Sequence, residues 1–322
     1  MRRILVIKHS ALGDIILSLP HLTALRAAHA TDRFIVATTA PYAGLMAASG
    51  LFDEVWVDPR AGLTRPLQAL AWMWRLRRGG FQRVYDLQGT RRTRNYYRAL
   101  AGTGVEWVGN APGCSHHHPD PDRPVHITLH RRRQLERAGI HEISPPDLGF
   151  LTADLDGLTL PARYALLVPG GAAHRPEKRW SVAGFTSLAQ RLVAQGCTPV
   201  LLGTAAESEV LAAIAGACPG ARNLGGRTSL GQLAALGRGA EAAVGNDTGP
   251  MHILAAVGAP SVVLFGGASD PVQVRPWGTR VVTLRAARIE DIAPERVLTA
   301  LAEVTDPAFP DTPRPDREPV RG

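Results

Sequence analysis

Short apolar runs recur along the chain, separated by segments with helical spacing. Ile4 to Ile7, Phe34 to Ala37, Glu54 to Val57 and Arg83 to Leu87 alternate with stretches such as Ile15 to Ala28. Runs this short, bounded by helices, predict strands of a parallel sheet covered on both faces. The rhythm lapses over 111–124, whose proline, histidine and aspartate content predicts a loop, and one basic helix follows at about Thr128 to Ala138. A second loop-like stretch, Ser144 to Pro161, predicts the linker. Alternation restarts with strands at Tyr164 to Val168, Thr198 to Leu202, Ala242 to Val244 and Ser261 to Phe265, and with helices at Val182 to Gln195, Ala206 to Ala217 and Pro294 to Val304. The expected organisation is therefore α/β: one doubly wound domain over 1–155, a second over 162–305, and a tail, 306–322, whose proline and charge content predicts disorder.

Length agrees with this division, since 322 residues exceed one average α/β domain and each half can bury a core. No apolar run approaches the ~18 residues that span a bilayer, and Lys8 cuts the opening run before it reaches signal-peptide length. The expected location is the cytoplasm. Three scattered cysteines, Cys114, Cys197 and Cys218, form no metal or disulfide spacing. The net charge of +8 is uneven: residues 1–160 carry 20 Lys+Arg against 14 Asp+Glu, and the rest 16 against 14. Between Arg75 and Arg98, eight arginines are opposed in sequence only by Asp86. That excess suggests an anionic partner, such as a phosphorylated glycolipid, a membrane surface or nucleic acid, or else a solvated helix face.

Two doubly wound domains favour a ligand in the crevice between them, at the carboxyl ends of strands. The candidate chemistry falls there. After the first strand, Lys8-His9-Ser10-Ala11-Leu12-Gly13-Asp14 leads into a helix; Gly13 permits close backbone approach and Asp14 is either an N-cap or a functional carboxylate. Gly170-Gly171-Ala172-Ala173 follows a later strand, with Lys178-Arg179-Trp180 beyond it, the pattern of a flexible phosphate loop and a cationic clamp. Gly245-Asn246-Asp247-Thr248-Gly249-Pro250-Met251-His252 runs from strand to helix, so its amides and the Thr248 hydroxyl could bind pyrophosphate at the positive end of the helix dipole. Taken alone, this block is also an ordinary capped helix with Pro250 in its first turn. Neither a Walker loop nor Gly-x-Gly-x-x-Gly occurs. Of 36 basic residues only Lys8 and Lys178 are lysines, and both lie in these loops.

Together the opening block, Pro-Gly-Gly-Ala before Lys178-Arg179-Trp180, Leu-Leu-Gly-Thr-Ala-Ala-Glu207 and Gly-Asn-Asp-Thr-Gly-Pro-Met-His resemble glycosyltransferase family 9, the lipopolysaccharide heptosyltransferases. The likeness runs from residue 1 to about 285. It implies the GT-B architecture of two facing Rossmann-like domains, an ADP-heptose donor on the carboxyl-terminal domain and a lipid A or inner-core acceptor on the amino-terminal one. Carried over by position, Asp14 is the catalytic base, Lys178 the phosphate clamp, Glu207 the ribose contact and Asp247 the contact to donor-sugar hydroxyls. Thr248, Gly249 and Pro250 form the pyrophosphate turn, Thr228 lies near the adenine, Gly170 and Gly171 line the donor, and His252 touches phosphate or is structural. Lys8, Gly13, Arg91, Arg92 and Arg94 are the acceptor-side candidates. Two departures stand out: the loop from Ala172 to Glu177 lacks the threonine pair of some members, and Ser181 replaces a proline common after the Lys-x-Trp.

An inverting transfer requires a base on the acceptor hydroxyl, stabilisation of an oxocarbenium-like centre and neutralisation of the departing diphosphate. Asp14, Lys178 and the helix opening at Thr248 meet the first and last without a metal, and no cofactor is expected. Asp120-Pro121-Asp122 fits the letters of a metal-binding Asp-x-Asp, but its proline-rich setting predicts a solvated loop. Expected partners are a nucleotide-sugar donor, a phosphorylated glycolipid acceptor and, transiently, the anionic inner face of the cytoplasmic membrane; nucleic acid is not among them, and a monomer is expected. Another nucleotide sugar as donor, a sugar-nucleotide epimerase or a non-catalytic nucleotide-sugar sensor are the competing readings.

Overall fold

A computed structural model describes every residue except 63, 172–174, 313 and 317–322. Among the described residues the chain divides into two compact units, Met1–Pro146 with Asp316, and Asp147–Pro315.

The first unit holds a six-stranded parallel sheet ordered β3-β2-β1-β4-β5-β6. Its strands are β1 (Arg3–Ile7), β2 (Arg33–Thr38), β3 (Glu54–Val57), β4 (Arg83–Asp86), β5 (Glu106–Gly109) and β6 (His116–His117). β1 lies in the middle, pairing Leu5 with Ile35 of β2 and with Val84 of β4, and Ile4 through Ile7, whose side chains alternate between the two faces, are all fully buried. The second unit repeats the plan with β12-β11-β10-β7-β8-β9. These are β7 (Tyr164–Val168), β8 (Thr198–Leu201), β9 (Arg222–Asn223), β10 (Ala242–Asn246), β11 (Ser261–Phe265) and β12 (Val281–Arg285). Read outward from the first strand, each sheet has the Rossmann order 3-2-1-4-5-6. Strand order reverses between β1 and β4 in one unit and between β7 and β10 in the other, and the loops leaving the carboxyl ends of those strands are the natural ligand sites.

The expected α/β class and its two doubly wound units are thus present, with local corrections. The single helix expected over Ile15 to Ala28 is two, Leu12–Ile16 and Leu19–Ala28. Ser18 lies between them with its hydroxyl donated to the Asp14 carbonyl, a local bond that competes with the helical ladder, and Pro20 opens the second helix. Within the loop expected at 111–124, His116 and His117 form the edge strand β6 on β5. The expected linker is not a free connection. Leu148, Leu151 and Leu158 are buried in the second unit, and Arg238 donates to the carbonyls of Leu148 and Leu151 at 2.8 Å each. The division therefore falls after Pro146 rather than beyond 155.

The tail expected to be disordered begins in contact with the second unit: Phe309 packs on its core, and Thr312 donates its amide to Thr279 while its hydroxyl accepts the Val281 amide at 2.9 Å. Asp316 then pairs with Arg132 of the first unit at 3.4 Å. Its last six residues lie outside the described set. Among the described residues, no helix is long and apolar enough to cross a membrane.

Candidate functional site

In the first unit, β1 delivers Lys8, His9 and Asp14 to the switch point, and β4 delivers Asp86 and Gln88. The two loops are tied together because Gln88 Oε1 accepts the His9 amide at 2.8 Å and the Ser10 amide at 3.3 Å. Asp14 is not the N-cap of its helix but sits in the first turn, where its Oδ2 accepts the Ala11 amide at 3.2 Å. Gly13 is buried as the second residue of that helix, and its carbonyl accepts the Leu17 amide at 2.9 Å.

Beneath Asp14 lies a buried guanidinium. Arg131 donates Nη1 to the Asp14 carbonyl at 3.2 Å and to Ser18 Oγ at 2.6 Å. Lys8 is also buried; desolvation, then the Arg131 charge, bring its pKa down to about 7, against the pull of Asp14 and Asp86. Burial raises the Asp86 carboxyl, despite bonds from Thr93 and the Gly89 and Gln88 amides. His9 Nε2 lies 2.9 Å from Asp58 Oδ2, whose carboxylate Tyr96 also bonds at 2.5 Å. This end of β1 and β4 is a packed polar network and not a lone carboxylate on a turn.

Several of the arginines that look unopposed in sequence find partners in space. Arg83 pairs with Glu106, Arg94 with Asp120 at 3.3 Å, and Arg92 donates to the Ala61 carbonyl at 2.9 Å. Arg91 is exposed at the start of the helix Arg91–Ala99. Asp120 also accepts from Asn110 Nδ2 at 3.0 Å, which ties this half of the Asp-Pro-Asp sequence to its neighbours.

The second unit assembles most of its candidate residues around Asp247. Lys178 donates Nζ to Asp247 Oδ2 at 2.7 Å, and His252 Nε2 lies 3.9 Å from Oδ1. Burial would raise the Asp247 carboxyl, but the contacts with His252 and Lys178 outweigh it and hold it at about 2. The carboxylate is ionised at any physiological pH. Thr248 caps the helix Gly249–Ala256 in an extended conformation, with Pro250 in the first turn, so the opening amides lie outside the helical ladder. Gly170 and Gly171 have packing reasons to be glycine. A Cβ at Gly170 would lie 2.9 Å from Glu207 Cγ, and one at Gly171 3.2 Å from Arg179 Cγ and 3.8 Å from Thr248 Cγ2. Ala172 and Ala173 of the same loop lie outside the described residues. Glu207 Oε2 accepts the Thr204 amide at 2.7 Å and its hydroxyl at 2.5 Å, which shapes the turn after β8. Thr228 is less directly placed: it precedes the helix Leu230–Gly239, on a segment joined to the β8 loop by the Gly226 amide and the Gly203 carbonyl at 2.8 Å.

Sequence reasoning passed over the residue that holds this site together. Asn246, fully buried at the end of β10, accepts the Trp180 amide at 3.0 Å and donates to the carbonyls of Pro169 and Gly170 at 2.9 and 3.0 Å. One side chain thus pins the lysine segment, the glycine loop and the Asp247 turn. A buried asparagine has the two donors and the acceptor this requires. Its signal in sequence was faint, a polar residue closing an apolar strand. Asn246→Ala strands three buried backbone groups, at a cost of about 3 kcal/mol or more. Its melting temperature should fall by about 6 to 12 °C in a thermal scan; a change under about 1 °C would remove Asn246 from this role.

Comparison with known proteins bears on both units. A model of "Glycosyltransferase family 9 (heptosyltransferase)" matches residues 135–302. Lipopolysaccharide heptosyltransferase 2 of Escherichia coli (strain K12) is 39% identical over 152 residues, which cover 41% of this chain and 44% of that protein. The chain thus matches less than half the length of that curated relative. In three dimensions it is similar to a family 9 glycosyl transferase from Veillonella parvula, with TM-score 0.81, 20% identity and coverage of 94% of this chain and 97% of the other. It is likewise similar to E. coli ADP-heptose lps heptosyltransferase II, with TM-score 0.74, 22% identity and coverage of 95% and 98%. Identities this low speak to the fold alone, and that fold is the GT-B type expected from the sequence.

Proposed function

This chain belongs to glycosyltransferase family 9, and from that premise we propose that it transfers heptose from ADP-heptose to a phosphorylated inner-core or lipid A-type acceptor, with inversion and without a metal ion. The single observation that carries the proposal is the ion pair of Lys178 and Asp247, 2.7 Å apart where the helix Gly249–Ala256 opens. An ammonium beside a helix N-terminus is chemistry for a departing diphosphate, since both favour negative oxygen. Asp247, whose charge is fixed by Lys178 and His252, accepts hydrogen bonds from donor-sugar hydroxyls, and Glu207 does so from the ribose. Gly170 and Gly171 let the backbone approach the donor, Thr248, Gly249 and Pro250 form the turn around the pyrophosphate, and Thr228 lies on the adenine side.

On the acceptor side, Asp14 takes the proton from the attacking hydroxyl as its oxygen approaches the anomeric carbon from the face opposite the diphosphate. Bond formation to that carbon and loss of ADP complete the inversion. Lys8, Gly13, Arg91, Arg92 and Arg94 contribute to holding the anionic acceptor; the protein acts as a monomer in the cytoplasm, in passing contact with the membrane that carries the glycolipid.

The test is transfer by the purified protein with ADP-heptose and a heptose-deficient lipopolysaccharide acceptor, followed as ADP release. Release that depends on acceptor and is unchanged by EDTA is the expected result. A strict divalent-ion requirement ends the metal-free mechanism, and a thermal shift with a different nucleotide sugar but not ADP-heptose reassigns the donor. At 100 times its Kd the true donor should stabilise the protein by about 2.7 kcal/mol.

A further inference from the structure

The helix Pro66–Arg78 of the first unit presents its apolar residues to solvent. Leu67, Leu70 and Trp74 are 80, 66 and 57% exposed, while Trp72 and Leu76 on the opposite side are buried against the sheet. Leu67, Leu70, Ala71, Trp74 and Arg78 recur at i, i+3, i+4, i+7 and i+11, so they share one stripe. Trp74 and Leu70 also line a groove with Ala71, Met73, Arg77 and Ala99.

The stripe is edged by cations. Arg78 lies over the Trp74 ring at 4.0 Å, Arg75 over Trp56 at 4.1 Å, and Arg77 donates to the carbonyls of Ala99 and Ala101. No Asp or Glu occurs between Asp58 and Asp86, a span that contains six arginines. Arginines in the last turn suit the helix dipole. The dipole gives no reason for two leucines and a tryptophan to face water beside them. With 13 residues the helix is about 20 Å long, too short to span a bilayer core of about 30 Å but suited to lying in its interface. An apolar stripe with a tryptophan, flanked by arginines and free of acids, complements lipid headgroups that carry negative charge.

We propose that the helix Pro66–Arg78 is an interfacial anchor that docks this protein on anionic phospholipid, with Leu67, Leu70 and Trp74 inserted among the headgroups and Arg75 and Arg78 paired with lipid phosphates. This deepens the transferase reading by naming the surface that meets the membrane, yet its test needs neither donor nor acceptor. Failure of either therefore leaves the other standing.

Trp74 makes the test specific, because the other five of the six tryptophans are buried. The purified full chain is mixed with phosphatidylcholine vesicles, with and without phosphatidylglycerol, and with brominated lipid as a quencher. Co-sedimentation with the anionic vesicles only, lost at about 0.5 M salt, is expected, as is quenching that W74F abolishes. L67S/L70S should lower the bound fraction about tenfold, with its melting temperature unchanged because both side chains are exposed. Absence of wild-type binding to anionic vesicles at low salt, or quenching that persists in W74F, overturns the proposal. So does a wild-type dimer that L67S/L70S converts to monomer without vesicle binding, since the stripe is then an interface between two copies.

Discussion

Asp14→Asn is expected to lower kcat by about 10³- to 10⁴-fold while leaving the Kd for ADP-heptose within about twofold. The split follows from where the side chain sits. Asp14 shapes its surroundings through its carbonyl, which accepts from Ser18 and from Arg131 at 3.2 Å, and asparagine keeps that carbonyl. The carboxylate Oδ2 accepts the Ala11 amide at 3.2 Å, a bond that an asparagine Oδ1 can accept equally. The variant therefore keeps the turn at Ala11, while the buried Lys8 and Arg131 lose the charge of Asp14. What it loses is a group that can take a proton from the acceptor hydroxyl, and donor residues on the second unit do not depend on that. Isothermal titration with ADP-heptose and initial rates of ADP release separate the two quantities. Turnover within about tenfold of wild type would remove Asp14 as the base, and loss of donor binding in step with kcat would make its role structural.

The sheets were legible because several of their strands are short apolar runs bounded by helical segments. Ile4 to Ile7 and Ser261 to Phe265 are buried on both faces, and nothing competes with that reading. The strands left unassigned, β5, β6, β9 and β12, lie toward the sheet edges: β6 and β9 have two residues each and β12 has residues partly open to water. Their apolar signal is correspondingly weak. The candidate site residues stood out in sequence where a charged side chain falls in a strand-to-helix turn, as with the two lysines, Asp14 and Asp247. What stayed hidden is the support beneath them. Arg131 lies 117 positions from Asp14, and Asn246 is bonded to groups 66 to 77 positions away. Such long-range hydrogen bonding leaves no local pattern, since any arginine on a basic helix or any polar strand end looks the same. The intramolecular partners of Arg83, Arg92 and Arg94 were hidden for the same reason, standing 16 to 31 positions away.

Lys178→Met should reduce kcat/KM by about 10³-fold, and the reason is a charge removed from two partners at once. In the free protein Lys178 neutralises Asp247, whose buried carboxylate is held at about 2 by His252 and Lys178 together. With methionine in place, burial meets less opposition and the Asp247 pKa rises. The native state then gains a proton at a pH where wild type has none, and sugar hydroxyls lose an ionised acceptor. Rates in the variant should accordingly fall on acidification in a range where wild type is flat, an acid limb that a simple packing defect would not create.

At the transition state the lysine is missing a second time, as charge builds on the departing diphosphate. Lys178→Arg keeps the charge in a planar group that is poorly matched to a compact ammonium site, so it should restore only part of the loss. The double variant Lys178→Met/Asp247→Asn should be no slower than the product of the two single effects and in practice faster, because each single change already breaks the same 2.7 Å pair. Strict additivity in that cycle, with no new acid limb, would mean that the pair does not act as a unit and that the diphosphate is held elsewhere.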